Sequence, residues 1–231
     1  MTDSDWAIEW TRRMVGKLKA VSTESYREAS PFPHCVIDGF LDPADAAMVA
    51  DSFPTLTAKA WKRHIHANSQ KFDCNDRKTM GPVACDLIDA INSLPIVLEI
   101  SRLVGSDVMS DGTALEGGGI HHIPRGGFVG VHADFNVHPN GLWMRAANLL
   151  LYLNRSQGGD LELWKPDASK VSRVIETVPG RAVLFTTTDG SLNGHPSPLA
   201  SDSRKSIETY YYIPKPEGVQ PHTTLYKAVK R

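Results

Sequence analysis

The sequence predicts an α+β protein in which helices come first and a β structure follows. Before residue 104, apolar residues recur every three or four positions, which is typical of amphipathic helices. After Gly105, short runs rich in Val, Leu, Tyr and Thr alternate with Gly, Pro, Asn and Asp turns. About seven short strands at this spacing indicate a sandwich, a barrel or a jelly roll.

The first two predicted helices have clear sequence signals. In the stretch 6–21, Trp6, Trp10, Met14 and Leu18 are spaced by four with basic residues between them, which predicts a helix docked on a core. A second helix is expected after Asp42-Pro43, because Asp is a good N-cap and Pro fits the first helical turn. Phe53-Pro54 ends it.

The remaining elements follow in chain order. His34 to Leu41 reads as a strand and a turn, the polar stretch 61–80 as loop with a short strand, and 82–104 as two helices interrupted at Pro95. The predicted strands of the second half lie near 119–124, 128–132, 146–153, 160–164, 173–177, 181–186 and 204–213.

Composition limits the classes of function. The 231 residues, 41% hydrophobic and 22% charged, suit one globular domain over 1–231, mainly helical over 1–104 and with a β core over 105–215. A net charge of -1 without basic runs argues against nucleic-acid binding. An acidic N-terminus and the lack of a long apolar run predict a cytoplasmic protein without a membrane partner. Three cysteines without a CxxC pair predict neither a disulfide framework nor a zinc ribbon.

His132 and Asp134 form the most informative motif of the sequence, at the end of the predicted strand 128–132. Residues two apart on a strand point to the same face, so the imidazole and the carboxylate can reach one metal ion. The His-x-Asp spacing alone is weak evidence, since a chain with nine histidines is expected to contain it about once by chance.

His195 is the third candidate ligand and follows the predicted strand 181–185 on a turn rich in Gly and Pro. Two histidines and one carboxylate on one face of an octahedral ion form the facial triad of non-haem Fe(II) oxygenases. Zinc hydrolases use the same residue types, so the triad alone leaves the metal open.

Arg204 and Ser206 add a possible anion receptor. They share one face of the strand that begins nine residues after His195. A planar guanidinium beside a hydroxyl suits a carboxylate. A dicarboxylate cosubstrate that chelates iron at one end would need such an anchor at the other.

At these residues the sequence resembles the Fe(II)/2-oxoglutarate-dependent oxygenases, specifically their prolyl-4-hydroxylase-like branch. The resemblance covers roughly residues 117–213, and the segment 32–41 is similar to the start of that family's catalytic domain. The matching motifs are His132-Ala-Asp134, Asn148-Leu-Leu-Leu-Tyr-Leu-Asn154, Gly158-Gly-Asp-Leu-Glu-Leu163, Pro179-Gly-Arg-Ala-Val-Leu-Phe185, His195 and Arg204-Lys-Ser206.

The resemblance implies a double-stranded β-helix, that is a cupin-like jelly roll, with N-terminal helices packed on it. It implies Fe(II) on His132, Asp134 and His195, with the distal carboxylate of 2-oxoglutarate on Arg204. The implied reaction uses O₂, releases succinate and CO₂ and hydroxylates a C–H bond. Related halogenases replace the carboxylate by a small residue, so Asp134 favours hydroxylation over chlorination.

Three further cofactor contacts follow from the resemblance. Asn148 and Tyr152 share the strand face that looks into the barrel in similar enzymes, where the Tyr hydroxyl lies near the cosubstrate. His122 stands ten residues before His132, where many relatives carry a Tyr that touches 2-oxoglutarate. On a strand, His121 and His122 point to opposite faces, and His122 is the one expected to face the pocket.

The predicted function is hydroxylation of a small molecule, either free or carrier-bound. Peptidyl hydroxylation of the prolyl type is the alternative. A non-catalytic jelly-roll binding protein has no use for the triad, and a zinc hydrolase has no use for Arg204 and Ser206. In the loop 135–145, Trp143 beside Arg145 is a candidate substrate contact, and a solvated loop anchored by the Trp is the alternative.

Overall fold

The computed structural model describes residues 3–200 and 203–229. Its helices are α1 (Asp3–Lys19), α2 (Thr23–Arg27), α3 (Pro43–Asp51), α4 (Arg77–Met80), α5 (Pro82–Ile91) and α6 (Leu94–Val104). Its strands are β1 (His34–Ile37), β2 (Lys62–His66), β3 (Ser69–Cys74), β4 (Met109–Ser110), β5 (Gly119–Pro124), β6 (Val129–Ala133), β7 (Trp143–Tyr152), β8 (Leu161–Trp164), β9 (Val171–Ile175), β10 (Ala182–Thr186), β11 (Asn193–His195), β12 (Ser203–Pro214) and β13 (Leu225–Tyr226).

Helix α1 buries the predicted stripe. Trp10, Met14 and Leu18 are buried, because residues four apart lie on one side of a helix, and that side packs on α5 and α6. The indole Nε1 of Trp10 donates a 2.9 Å hydrogen bond to Asp45 Oδ2, which ties α1 to α3. The prediction of a helix docked on the core is confirmed.

The starts of the later helices follow capping chemistry. Asp42 caps α3, accepting a 3.0 Å hydrogen bond from the amide of Ala44. The predicted interruption at Pro95 falls slightly earlier, at Asn92 and Ser93, because Pro95 lies in the first turn of α6, where its missing N–H costs nothing.

The strands form an antiparallel sheet that curls into a nearly closed barrel of the jelly-roll type. Along the main path the strand order is β1-β10-β7-β12-β5-β3-β6-β11-β8-β9. The longest pairing, β7 with β12, runs from Ser206 opposite Tyr152 to Pro214 opposite Trp143. This topology confirms the jelly-roll fold with helices packed on it.

Helices and sheet share one hydrophobic core. The outer face of β7, β10 and β12 contributes Leu149, Leu151, Leu184 and Ile207, which pack in one cluster with Met14 and the other core residues of the helices. The opposite face lines the barrel interior with Leu150, Leu161, Leu163, Val183 and Phe185. Alternation along each strand separates these two sets.

Some strands lie where the sequence predicted other structure. The region 61–80 contains the hairpin β2–β3, paired from Lys62 opposite Asp73 to His66 opposite Ser69. The predicted division at residue 104 is too sharp, because β1, β2 and β3 also belong to the sheet. His195 stands on the short strand β11, between β6 and β8, instead of on a turn.

None of the helices in residues 3–200 and 203–229 has the length and apolar character needed to cross a bilayer.

Candidate active site

His132 is held with one ring nitrogen turned to the cavity. Its Nδ1 lies 2.8 Å from the carbonyl oxygen of Gly130, and because a carbonyl only accepts, Nδ1 is the donor. In the neutral ring this contact keeps the proton on Nδ1 and leaves the lone pair on Nε2. Nε2 lies 3.5 Å from Oδ1 of Asp134.

Asp134 is a partly buried carboxylate surrounded by polar side chains. Its Oδ2 accepts hydrogen bonds from Nδ2 of Asn148 (3.0 Å) and Nδ2 of Asn193 (3.3 Å), while Oδ1 lies 3.5 Å from Nη1 of Arg145. Burial alone would raise the pKa of Asp134, but Arg145, His132 and Asn193 outweigh burial and lower this pKa below its usual range. Asp134 is therefore ionised at neutral pH.

His195 is a buried and neutral imidazole. Its side chain is on β11, beside Asn193, which pairs with His132 across the sheet. Burial, followed by the charge of Arg204, lowers the pKa of His195 well below 6.5. Neither ring nitrogen finds a well-placed hydrogen-bond partner among the described residues. A neutral imidazole with unused nitrogens has the chemistry of a metal ligand.

Arg204 lies at the inner end of the same cavity. Its Nη2 donates a 3.4 Å hydrogen bond to the hydroxyl of Tyr152, while its buried Nε and Nη1 have no partner in the described part of the chain. Burial, opposed by the Arg204 charge, raises the pKa of Tyr152 to about 12, so the phenol stays neutral. Unused guanidinium donors in a buried pocket are suited to a carboxylate.

These side chains line one inner cavity of about 50 Å³. Its wall includes His132, Asp134, Asn148, His195 and Arg204. Within residues 3–200 and 203–229, no three His, Cys, Asp or Glu side chains stand at metal-binding spacing, so the three predicted ligands share a cavity without forming a closed cluster. Ser206 is buried on the Arg204 face of β12 and donates to Glu208 Oε1 at 3.4 Å.

The expectation for His122 is wrong. Alternation along β5 turns His122 out of the barrel, where its ring lies 5.9 Å from the Trp61 ring, centroid to centroid. His121 faces inward instead, lines the inner cavity and places Nδ1 3.3 Å from Oε1 of Glu208. Burial lowers the pKa of His122 to about 4, with Lys205 adding to the effect.

Sequence reasoning missed the role of Arg145. The guanidinium is buried between the rings of Tyr210 and Phe135, with its central carbon 3.3 Å and 4.5 Å from their centroids. From there it faces Asp134 and orients Asn148, which accepts a 2.6 Å hydrogen bond from Nε. The signal was present in the β7 pattern, because Arg145 and Asn148 are polar residues at the start of an apolar strand that follows the His-x-Asp motif in the sequence.

Glu208 and Lys71 were also missed as cavity residues. Glu208 continues the alternating series of Arg204 and Ser206, and this period of two is the signal that could have placed it. Lys71 comes from β3, and since the region 61–80 has no clear periodicity, no sequence signal placed it at the cavity.

Residues 118–212 match the sequence model of the 2OG-Fe(II) oxygenase superfamily. This part of the barrel belongs to the 2OG-Fe(II) oxygenase superfamily. The match spans β5 to β12, and so includes His132, Asp134, His195 and Arg204. The predicted superfamily and a 2-oxoglutarate-dependent enzyme are confirmed. No curated protein sequence matches the chain significantly.

Solved structures of this oxygenase fold align over most of the chain. A prolyl hydroxylase from Trichoplax adhaerens, in complex with a hypoxia inducible factor peptide fragment, has 20% identity and a TM-score of 0.60 over 90% of this chain and 92% of its own. A Pseudomonas putida prolyl-4-hydroxylase has 15% identity and a TM-score of 0.58, covering 86% and 97%. The carbocyclase SnoK from nogalamycin biosynthesis has 10% identity and a TM-score of 0.59, covering 85% and 86%.

The 2OG-Fe(II) oxygenase family implies Fe(II), 2-oxoglutarate and O₂, and the cavity suits these groups. Two imidazoles and one carboxylate are the ligand types of a non-haem Fe(II) site. His195 has unused nitrogens, Asp134 is ionised and Arg204 has unused donors, so each residue has capacity for a bound group.

Proposed function

We propose that this oxygenase hydroxylates a C–H bond of a small molecule and releases succinate and CO₂. His132, Asp134 and His195 hold Fe(II), and Arg204 holds the distal carboxylate of 2-oxoglutarate. The observation that carries the proposal is the inner cavity, whose wall brings together these four residues from β6, β11 and β12 and the turn after β6.

Each residue has a separate task. Bound Fe(II), with 2-oxoglutarate and O₂, supplies the oxidation of the substrate C–H bond. Asp134 contributes the negative charge, which Arg145, Asn148 and Asn193 keep in place. His132 offers Nε2, because Gly130 holds the proton on Nδ1.

Arg204 anchors the cosubstrate by charge and shape. Its planar fork has two unused nitrogens, and the hydroxyl of Tyr152 steadies the third. Leu150 and Leu161 form an apolar part of the cavity wall. An apolar wall excludes water and so strengthens the interaction between the Arg204 guanidinium and a bound carboxylate. Asn148 lines the same cavity and bonds Asp134 from there.

A second cavity supports a small molecule as the substrate. This outer cavity has a volume of about 250 Å³ and shares His132 and Asp134 with the inner one. The hairpin β2–β3 forms one wall, and the C-terminal strap, residues 220–227, crosses another side with Tyr226. The volume is close to the lower end of about 300–1,000 Å³ that is usual for small-ligand pockets.

Hydroxylation of a peptide is the second candidate. It is favoured by the prolyl hydroxylases among the solved structures of the same fold, one of them in complex with a peptide fragment. A peptide would have to enter past the strap, which is fixed by two hydrogen bonds to Asn136.

The decisive experiment measures succinate formed from 2-oxoglutarate. The full chain is reconstituted anaerobically with Fe(II), given O₂ and compared with the Arg204→Ala variant. Wild type should form succinate even without substrate, and Arg204→Ala should need much more 2-oxoglutarate. Arg12→Ala, on the outer surface of α1, is the matched control and should behave as wild type. Equal 2-oxoglutarate requirements for wild type and Arg204→Ala would remove the anchor assignment.

A further inference from the structure

Lys71 occupies the junction of the two cavities. Among the described residues, it is the one lysine or arginine that lines both the inner and the outer cavity. It is located on β3, opposite His64 of β2, on the same strand face as Asp73. Its ammonium group is therefore placed next to the residues proposed to hold iron, on the side where substrate enters.

The nearby carboxylates already have other partners. Asp73 pairs with His64, Glu208 with His121 at 3.3 Å, and Asp134 with Arg145 at 3.5 Å. In the described part of the chain, no carboxylate oxygen lies within 4.0 Å of the Lys71 nitrogen. Lys71 thus has ammonium donors that the described residues leave unused at contact distance, while its charge acts at longer range on Asp73 and Glu208.

The surrounding charges restrict what Lys71 can bind. Asp73, Glu208 and Glu116 lie around the same cavities, so a ligand group held by Lys71 alone would have only one of its negative charges balanced. A single carboxylate is balanced by one ammonium group. Phe135 and Tyr226, which also line the outer cavity, offer apolar surface for the rest of the molecule.

We propose that Lys71 binds the carboxylate of the substrate, so that the enzyme oxidises a small monocarboxylic acid, free amino acids included. This inference rests on the proposed function, because it assigns the substrate of that same site. The carboxylate on Lys71 fixes one end of the substrate, and the C–H bond to be oxidised lies toward His132 and Asp134.

Binding to paired probes tests the inference. A panel of small monocarboxylic acids, each beside its primary amide, is titrated anaerobically into the Fe(II)- and 2-oxoglutarate-loaded protein. At least one acid should bind about tenfold or more tightly than its amide, as expected for a charge-assisted contact. Lys71→Met should remove most of this difference, Lys71→Arg should keep part of it, and Lys170→Met, an exposed charge deletion outside both cavities, should keep all of it.

The outcomes separate this inference from the proposed function. Failure of every acid to bind more tightly than its amide, or an acid preference that survives Lys71→Met, overturns the role of Lys71. A larger loss of 2-oxoglutarate affinity than of acid affinity in Lys71→Met assigns Lys71 to the cosubstrate and also overturns it. In each of these cases the wild type still binds 2-oxoglutarate, whereas failure of the wild type to bind 2-oxoglutarate contradicts the proposed function itself.

Discussion

Asn148 donates a 3.0 Å hydrogen bond from Nδ2 to Oδ2 of Asp134. The same amide accepts a 2.6 Å hydrogen bond from Nε of Arg145, so its orientation is fixed from both ends. Arg145 in turn is held between the rings of Phe135 and Tyr210. The proposed metal carboxylate is therefore positioned by β7 and by the aromatic residues packed around it.

Replacing Asn148 by Ala should weaken iron binding and stability together. The change removes the acceptor of the buried Arg145 Nε, which costs about 1–3 kcal/mol, and leaves Oδ2 of Asp134 with Asn193 alone. Anaerobic Fe(II) titration and denaturant unfolding measure the two effects. The exposed Asn140→Ala serves as the control. An Asn148→Ala protein with wild-type Fe(II) affinity would show that Asp134 needs no such positioning.

His132→Ala and Asp134→Ala should each abolish Fe(II) binding and turnover. Each removes one of three ligands, and two ligands hold a divalent ion poorly. The iron content of anaerobically loaded and desalted protein gives the answer. His138→Ala, which removes an imidazole paired with Asp111, is the control that should retain iron. Turnover at the wild-type rate by His132→Ala would contradict the metal assignment.

Much of the fold could be predicted because periodicity is a local signal. The apolar stripe of α1 (Trp10, Met14, Leu18) and the N-cap of α3 (Asp42) each depend on residues only a few positions apart. These helices could therefore be predicted from the sequence. The hairpin β2–β3 did not, because its inner face carries Lys62, His64 and Lys71 in place of apolar residues. Its position in the sheet depends on the pairing of β3 with β5 and β6.

Only the site residues that belong to sequence motifs could be predicted. His132, Asp134, His195 and Arg204 line one cavity, as their order and strand context suggested. The choice between His121 and His122 depended on which face of β5 turns inward, and that is set by pairing with β12 and β3. A shift of one residue reverses the faces, so a resemblance in sequence position alone gave the wrong histidine.

Tyr152→Phe should raise the 2-oxoglutarate concentration needed for half-maximal rate by a few-fold, about 0.5–1.5 kcal/mol, with little change in kcat. The variant removes the hydroxyl that accepts from Arg204 but keeps the ring under the guanidinium. Steady-state kinetics of succinate formation measure this. Tyr211→Phe removes a hydroxyl bonded to Ile91 in the helical core and should lower stability alone. Equal effects of both variants on the 2-oxoglutarate requirement would argue against Tyr152 as a steadying group.

The stability of the protein should fall as the pH drops from 6.5 toward 4, in part through His122. Burial holds the folded-state pKa of His122 at about 4, below its ordinary 6.5, so in this window the unfolded chain binds a proton that the folded chain does not. Stability therefore rises with pH across the window and is lost toward acid. Urea unfolding at several pH values should show a shallower loss for His122→Phe. His66→Gln, at an exposed position, should follow wild type, and an unchanged slope in His122→Phe would contradict this origin.

Asn136→Ala should loosen the C-terminal strap without unfolding the barrel. Asn136 donates from Nδ2 to the carbonyl of Gln220 and accepts from the amide of His222, both at 2.9 Å. Beyond this point the strap pairs with β6, where Tyr226 lies opposite His132 and the amide of Lys227 donates to Val131. Hydrogen exchange should therefore speed up at His222 and, to a smaller degree, at Lys227, while β7 and β12 stay protected.

Because Tyr226 lines the outer cavity, substrate affinity should fall more than 2-oxoglutarate affinity. Unchanged exchange at His222 would show that pairing with β6 alone holds the strap.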